Sequence, residues 1–195
     1  NMRITKDPEL RRQEIIESAR ALFKEKGIRR TSMGEIAKRI GVAKGLVYYY
    51  FASKEQLVRE VIEELVKDID EKLDEIIQGK GNFFARLRAV LDYYFNSIAE
   101  HPTLQEMSPV HPDMFVLLKE RLYERANHHA LKLVREGIDA GILHLRYPEY
   151  MVKIIIRGLG DLYIDGVTDS RIHIELVEQL LGLDKGVLLN AAPKP

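Results

Sequence analysis

The run TSMGEIAKRIGVAKGLVYYYFASKEQ, from Thr31 to Gln56, leaves few folds open to this chain. Ser32 can cap a helix while Glu35, three residues on, reaches back to the cap's own N–H, a capping box. Ile36, Ala37 and Ile40 then form a one-sided apolar stripe, and Gly41 stands where a helix ends in the left-handed region. A second short helix would turn Val47 and Phe51 inward at i, i+4 and leave Lys44, Gly45, Tyr48 and Tyr49 facing out. Ser53 and Gln56 form a second capping box that starts a third helix. Helix, glycine turn and helix is the helix-turn-helix pattern.

The outward face has the chemistry of a nucleic-acid reader. A recognition helix enters the major groove N-terminus first. There Gly45 allows close approach, Lys44 brings positive charge, and Tyr48 and Tyr49 offer ring surface and hydroxyls for bases and phosphates. Lys54, in the first turn of the next helix, would aim its ammonium at the backbone. The plainer reading of the same residues is a tyrosine-rich core helix with solvated lysines.

The run GVAKGLVYYYFASKEQLV resembles the signature of the TetR family of one-component transcriptional regulators, over roughly residues 10 to 58. In that family a Gly-Val-Ser/Ala-x-Gly turn leads into a Tyr-Tyr-x-Phe helix and then a Ser/Asn-Lys-Glu-x-Leu helix start. The resemblance implies DNA contacts by Thr31 and Ser32, by Ala43, Lys44, Gly45, Tyr48 and Tyr49, and by Lys54. Leu46 and Tyr50 depart from it, standing where a small hydroxyl residue and His are frequent.

Charge supports a divided chain. The 195 residues carry no net charge, yet residues 1 to 55 hold 13 Lys+Arg against 7 Asp+Glu, a net of +6, and the remainder balances it at −6. A basic module joined to a mildly acidic one is expected. There is no Cys, which excludes a disulfide framework and thiolate zinc and suits a reducing cytoplasm. No run approaches the roughly 18–20 apolar residues of a membrane span, and the basic start lacks the apolar region of a signal peptide.

In chain order, Asp7-Pro8 marks a first helix with Ile15, Ile16, Ala19, Leu22 and Phe23 buried, stopped by Gly27. A long helix from Ser53 carries Val58, Ile62, Leu65, Ile69, Leu73 and Ile76 to Gly79. Further helices are expected from Asn82 to His101-Pro102, from Asp113 to Ala140, from Pro148 to about Val167, and from Asp169 or Ser170 to Gly182. The residues after Asp184 read as a loose tail. The fold expected is all-α: a helix-turn-helix domain over residues 1–52, and a larger helical ligand-binding and dimerisation domain over 53–195.

The segment from Tyr150 to Val167 is apolar nearly all round, as a helix covered on both sides would be. With the last helix it is expected to form a two-fold dimer, as the resemblance implies, through Ile154, Gly158, Leu162, Ile174, Val177 and Leu181. The same helices could instead be core to one subunit. An effector pocket in the middle helices has Phe84, Tyr94, Met107, Met114, Phe115, Tyr123, His128, Tyr150, Met151, Arg157, Asp161 and Tyr163 as candidate lining, suited to a small, largely apolar ligand. An aromatic or Met at helical spacing is more often plain core, and Arg157 and Asp161, at i, i+4, read more readily as a pair neutralising each other within the subunit or across the dimer than as a ligand clamp. Adjacent His128-His129 lack zinc spacing, and no nucleophile or phosphate-loop motif appears, so neither catalysis, a metal nor a cofactor is expected. The reading is a dimeric cytoplasmic regulator, a repressor of a palindromic double-stranded DNA operator, released by a small molecule. The alternative is a helical ligand-binding or adaptor protein whose helix-turn-helix is structural only.

Overall fold

Helix starts in this chain are set by the local chemistry of their caps. The structure, a computed structural model, describes residues 7–99 and 112–191. Among these it is all helical: α1 Pro8–Lys26, α2 Met33–Arg39, α3 Lys44–Tyr50, α4 Lys54–Gln78, α5 Phe83–Ala99, α6 Pro112–Asp139, α7 Pro148–Ile164, α8 Ser170–Leu181 and a 3-10 turn at Leu189–Ala191. The Asp7 carboxylate accepts from the Glu9 N–H at 2.8 Å, with Pro8 at the first helical position. Asn82 accepts from the Ala85 N–H at 2.9 Å, and Asp169 from the Arg171 N–H at 2.9 Å.

The described residues form two compact units, 7–67 with 112–118, and 68–99 with 119–191. In the first, α2 packs on both α1 and α3. Its interior holds Ile15, Ile16, Ala19, Phe23, Ile36, Val47, Phe51 and Leu57, all at most 2 % exposed. Each fully buried Ile, Leu or Phe contributes about 1.5–3 kcal/mol over an exposed one. α4 is unbroken across 25 residues and contributes to both units.

The second unit is built on Leu73, Ile77, Phe83, Leu87, Leu91, Phe95, Leu133, Leu143, Val152, Leu159, Ile174, Val177 and Leu181. α8 packs on α5 and α7, and the terminal turn packs on α5 and α8. The segment after Asp184 is therefore not a loose tail as far as residue 191. Leu188 is fully buried, and the Glu178 carboxylate accepts from the Gly186 and Leu188 N–H groups, each at 2.8 Å. Among the described residues no helix is long and apolar enough to cross a membrane.

Candidate nucleic-acid interface

Two turns fix how α3 is presented. The Ser32 hydroxyl accepts from the Glu35 N–H at 3.3 Å while Glu35 accepts from the Ser32 N–H at 2.8 Å, so the capping box at the start of α2 is closed. Lys26 also donates to Glu35. That ion pair, with the Ser32 N–H and hydroxyl, holds the Glu35 carboxyl at about 2. At the other end Gly41 has φ +69°, and Val42 and Gly41 donate to Ala37 O at 2.9 Å and Lys38 O at 3.2 Å. This is a Schellman motif, whose left-handed residue Gly adopts without a Cβ penalty.

From that turn, α3 buries Val47 and its C-cap Phe51 completely. About half a helical turn of phase separates them from the other face. Lys44 and Gly45 are exposed, Tyr48 is 44 % exposed and Tyr49 81 %. The Lys44 ammonium stands 5.5 Å from the centre of the Tyr48 ring, a cation–π contact that orders both side chains before anything binds. A Cβ at Gly45 would meet no atom within 4 Å. Among the described residues nothing requires glycine there.

Lys54 follows at the N-terminus of α4, where the Ser53 hydroxyl accepts from the Gln56 N–H at 3.2 Å. The returning Gln56 side chain takes the Ala52 N–H at 2.8 Å, one residue earlier than a strict capping box. Lys54 Nζ lies 3.5 Å from Arg29 O, and partial burial lowers its pKa. Ser32 and Ala43 are exposed. Thr31 is a correction: it is 2 % exposed, and its hydroxyl donates to Gly27 O at 2.9 Å, tying the end of α1. Its side chain is a packing element and not part of the outward face.

The family model described as bacterial regulatory proteins, tetR family, matches residues 15–61. The HTH-type transcriptional regulator SAR2658 of Staphylococcus aureus is 32 % identical over 180 residues, covering 90 % of this chain and 92 % of that protein. This chain belongs to the TetR family of transcriptional regulators. The HTH-type transcriptional repressor KstR2 of Mycobacterium tuberculosis is 33 % identical over 91 residues, and there the chain spans about half the relative's length, 46 %. A transcriptional regulator from Cytophaga hutchinsonii shares the fold, with a TM-score of 0.75 at 18 % identity over 94 % of this chain and 98 % of that one.

In this TetR-family chain the second unit redistributes the other candidates. A cavity of about 50 Å³ is walled by Leu73, Leu87, Val90, Leu91, Tyr94, Ala126, His129, Ala130, Val134, Val152, Ile155, Ile156, Leu159, Val177 and Leu181. Of the expected pocket residues only Tyr94 is in that wall. Burial, then the Asp161 carboxylate, raises its phenol pKa. His128 is exposed, and its neighbour His129, 1 % exposed, turns inward instead. The His129 Nε2–H donates to Asp70 at 2.7 Å, and Asp74 lies 3.6 Å from Nδ1. Tyr150 is 69 % exposed, while Phe84, Phe115, Met151 and Tyr163 are half-buried and outside the wall. Met107 and the side chain of Met114 lie outside the described residues.

Among the described residues the direct partners of Arg157 and Asp161 are other side chains, although each feels the other's charge. Arg157 donates to both Glu120 oxygens, at 3.1 and 2.7 Å, which lowers the Glu120 pKa. Asp161 accepts from the Tyr123 hydroxyl at 2.9 Å, with Lys119 at 3.5 Å. Tyr123 and Arg157 line a separate cleft of about 360 Å³. The dimer candidates divide as well. Ile154, at 62 % exposed, and Gly158 face outward and Leu162 is half-buried, but Ile174, Val177 and Leu181 are core, at most 4 % exposed. The exposed apolar residues of α8 are Ile172 and Leu180.

Proposed function

We propose that this protein is a homodimeric, cytoplasmic transcriptional repressor that reads a palindromic operator and leaves it when a small, largely apolar molecule binds. The observation that carries the reading is the outward presentation of Lys44, Gly45, Tyr48 and Tyr49 on a helix whose other face is fixed by Val47 and Phe51. Residues 1–52 are the reading head in this proposal. Ser32, Ala43 and the α3 face approach the groove, and Lys54 holds phosphate. Two heads about 34–36 Å apart, or a multiple of that, meet successive major-groove faces. An exposed stripe of Tyr150, Ile154 and Gly158 on α7, with Ile172 and Leu180 on α8, supports the two-fold partner. Repression follows the name of KstR2.

Release is assigned to residues 53–195. The cavity is small beside the 300–1,000 Å³ of typical ligand sites, so an effector must enlarge it. His129 joins its wall to Asp70 and Asp74 on α4, the helix that continues to Lys54. A displacement of α4 would then alter the spacing of the heads. A hundredfold loss of DNA affinity requires only about 2.7 kcal/mol of differential binding between the two shapes. The test is selection of duplexes from random DNA followed by gel shift. An enriched inverted repeat bound by the full chain is expected. Failure to enrich any sequence at low salt would leave a helical adaptor as the reading.

A further inference from the structure

The turn between α1 and α2 is fixed at four successive carbonyls. Lys26 O accepts from Arg30 Nε at 2.8 Å, and Gly27 O from the Thr31 hydroxyl at 2.9 Å. Ile28 O accepts from the Thr31 N–H at 3.2 Å, and Arg29 O from Lys54 Nζ at 3.5 Å. Gly27 turns the chain with φ +83°, while Ile28 and Thr31 are buried. The side chains that this fixed backbone leaves exposed are Arg29 and Arg30.

The ion pairs of the first unit single out Arg29. Other cations there already have carboxylates: Arg11 has Glu14, Arg12 has Glu60, Lys26 has Glu35 and Arg39 has Glu25. Arg30 uses its Nε–H within the turn. The Arg29 side chain has no ion-pair or hydrogen-bond partner among the described residues. The Lys26 pair also offsets Glu35, the acidic residue in the first turn of α2. The Lys44 stem reaches that same place, since a Cβ at Gly34 would lie 3.8 Å from Lys44 Cδ and 3.9 Å from Ser32 Oγ. The turn therefore adjoins the outward face of α3.

We infer that the α1–α2 turn is a further anchor on the DNA backbone, in which the Arg29 guanidinium, beside the Lys54 ammonium, takes phosphate. The inference rests on the operator-binding reading above and adds a contact that carries no sequence information. A planar guanidinium bonds two phosphate oxygens at once. A turn fixed before binding gives up little conformational entropy when it does so.

The experiment is anisotropy titration of the full chain against its selected duplex and a scrambled duplex, each over a range of salt concentrations. Arg29→Gln should weaken binding to both by the same factor and lower the slope of log affinity against log salt by about 0.9. Arg29→Lys should restore the slope, because the charge returns, and recover affinity only in part, because the fork does not. Arg39→Gln removes a cation already balanced by Glu25 and should leave the slope unchanged. An unchanged slope in Arg29→Gln, or an equal fall in Arg39→Gln, overturns this inference alone. A loss confined to the selected duplex overturns the backbone role, and a slope that Arg29→Lys does not restore overturns the role of charge. If the unmodified chain binds neither duplex at low salt, the operator reading fails and the anchor with it.

Discussion

Gly45 is, with Gly158, a helical glycine whose identity is not explained by packing among the described residues. Its Cβ position is empty, and its backbone is ordinary helix with no positive φ. A glycine that neither turns nor packs is explained by something approaching from outside. Gly45→Ala should therefore leave stability unchanged or raise it by up to about 1 kcal/mol through helix propensity, while weakening operator binding. Denaturant unfolding and anisotropy titration on the same sample check both halves, and a loss of stability would mean that the site is internally packed. Lys54 makes the complementary case, since its surroundings partly desolvate the ammonium and supply a 3.5 Å carbonyl contact and the fields of Glu55 and Glu35 in partial return. Lys54→Ala should weaken binding to every sequence and reduce the slope of log affinity against log salt by about 0.9 for each phosphate the ammonium neutralises. A defect confined to one operator sequence would contradict the phosphate role. Glu35 sets the pH behaviour of the head. Its carboxyl is depressed from an ordinary 4.5 to about 2 by Lys26 and the Ser32 groups. A depressed carboxyl stabilises fully above its unfolded value and loses that contribution as pH falls through its folded one. The α2 cap is accordingly intact above about pH 4.5 and lost toward pH 2. Carbon-detected NMR should place the Glu35 midpoint near 2 and show it rising in Lys26→Ala; a midpoint near 4.5 would mean that the capping box is open in solution.

At the scale of helices, the seating of the α6 side chain Tyr123 against α7 depends on Gly160. A Cβ there would lie 2.8 Å from Tyr123 Cζ. The ring has little freedom to retreat, because its hydroxyl is held by Asp161 and the cations of Lys119 and Arg157 stand 5.6 and 5.3 Å from its centre. Gly160→Ala should cost about 1–3 kcal/mol from overpacking, opposed by up to about 1 kcal/mol of helix propensity. Urea unfolding decides the sign, and net stabilisation would show that the ring gives way. The same pair of helices marks the limit of what the residues alone disclose. Ser32 with Glu35, Gly41, Asp7-Pro8 and Asn82 were legible because a cap is a contact between near neighbours. So was the inward phase of Val47 and Phe51, which polar residues flank. α7 is apolar nearly all round and has no such phase. In α8 the set Ile174, Val177 and Leu181 resembles an interface seam at helical spacing, yet it is core, and the outward residues are Ile172 and Leu180. His128 and His129 show the same ambiguity, since one residue of shift turns a side chain by about 100°. Partners distant in sequence were not legible at all: Glu178 on the Leu188 N–H, Arg157 on Glu120, Asp70 on His129.

For the whole molecule the charge division matters as much as the fold. The net of +6 over residues 1 to 55 is matched by −6 in the remainder, so under the proposed function a duplex is expected to attract the first segment and repel the remainder, which would orient encounter. In the proposed repressor a single seven-residue α3 would read at most one half-site, and tight operator binding would rest on two heads held together. Ile154 is the residue on which that requirement can be tested. It is 62 % exposed and central to the stripe from Tyr150 to Gly158, so Ile154→Glu removes no core packing from the single chain. The variant should keep its unfolding transition at low protein concentration and sediment at 22.5 kDa, where the unmodified protein, as the proposed dimer, is expected to sediment at twice that mass. Without the tether the second half-site becomes a separate encounter, and operator affinity should fall by roughly 10²–10⁴. Binding to an isolated half-site should be unchanged, because nothing on α3 has been altered. A variant that remains dimeric places the interface on another face; a monomer that binds the full operator as tightly as before would show that the two heads are not coupled through this one.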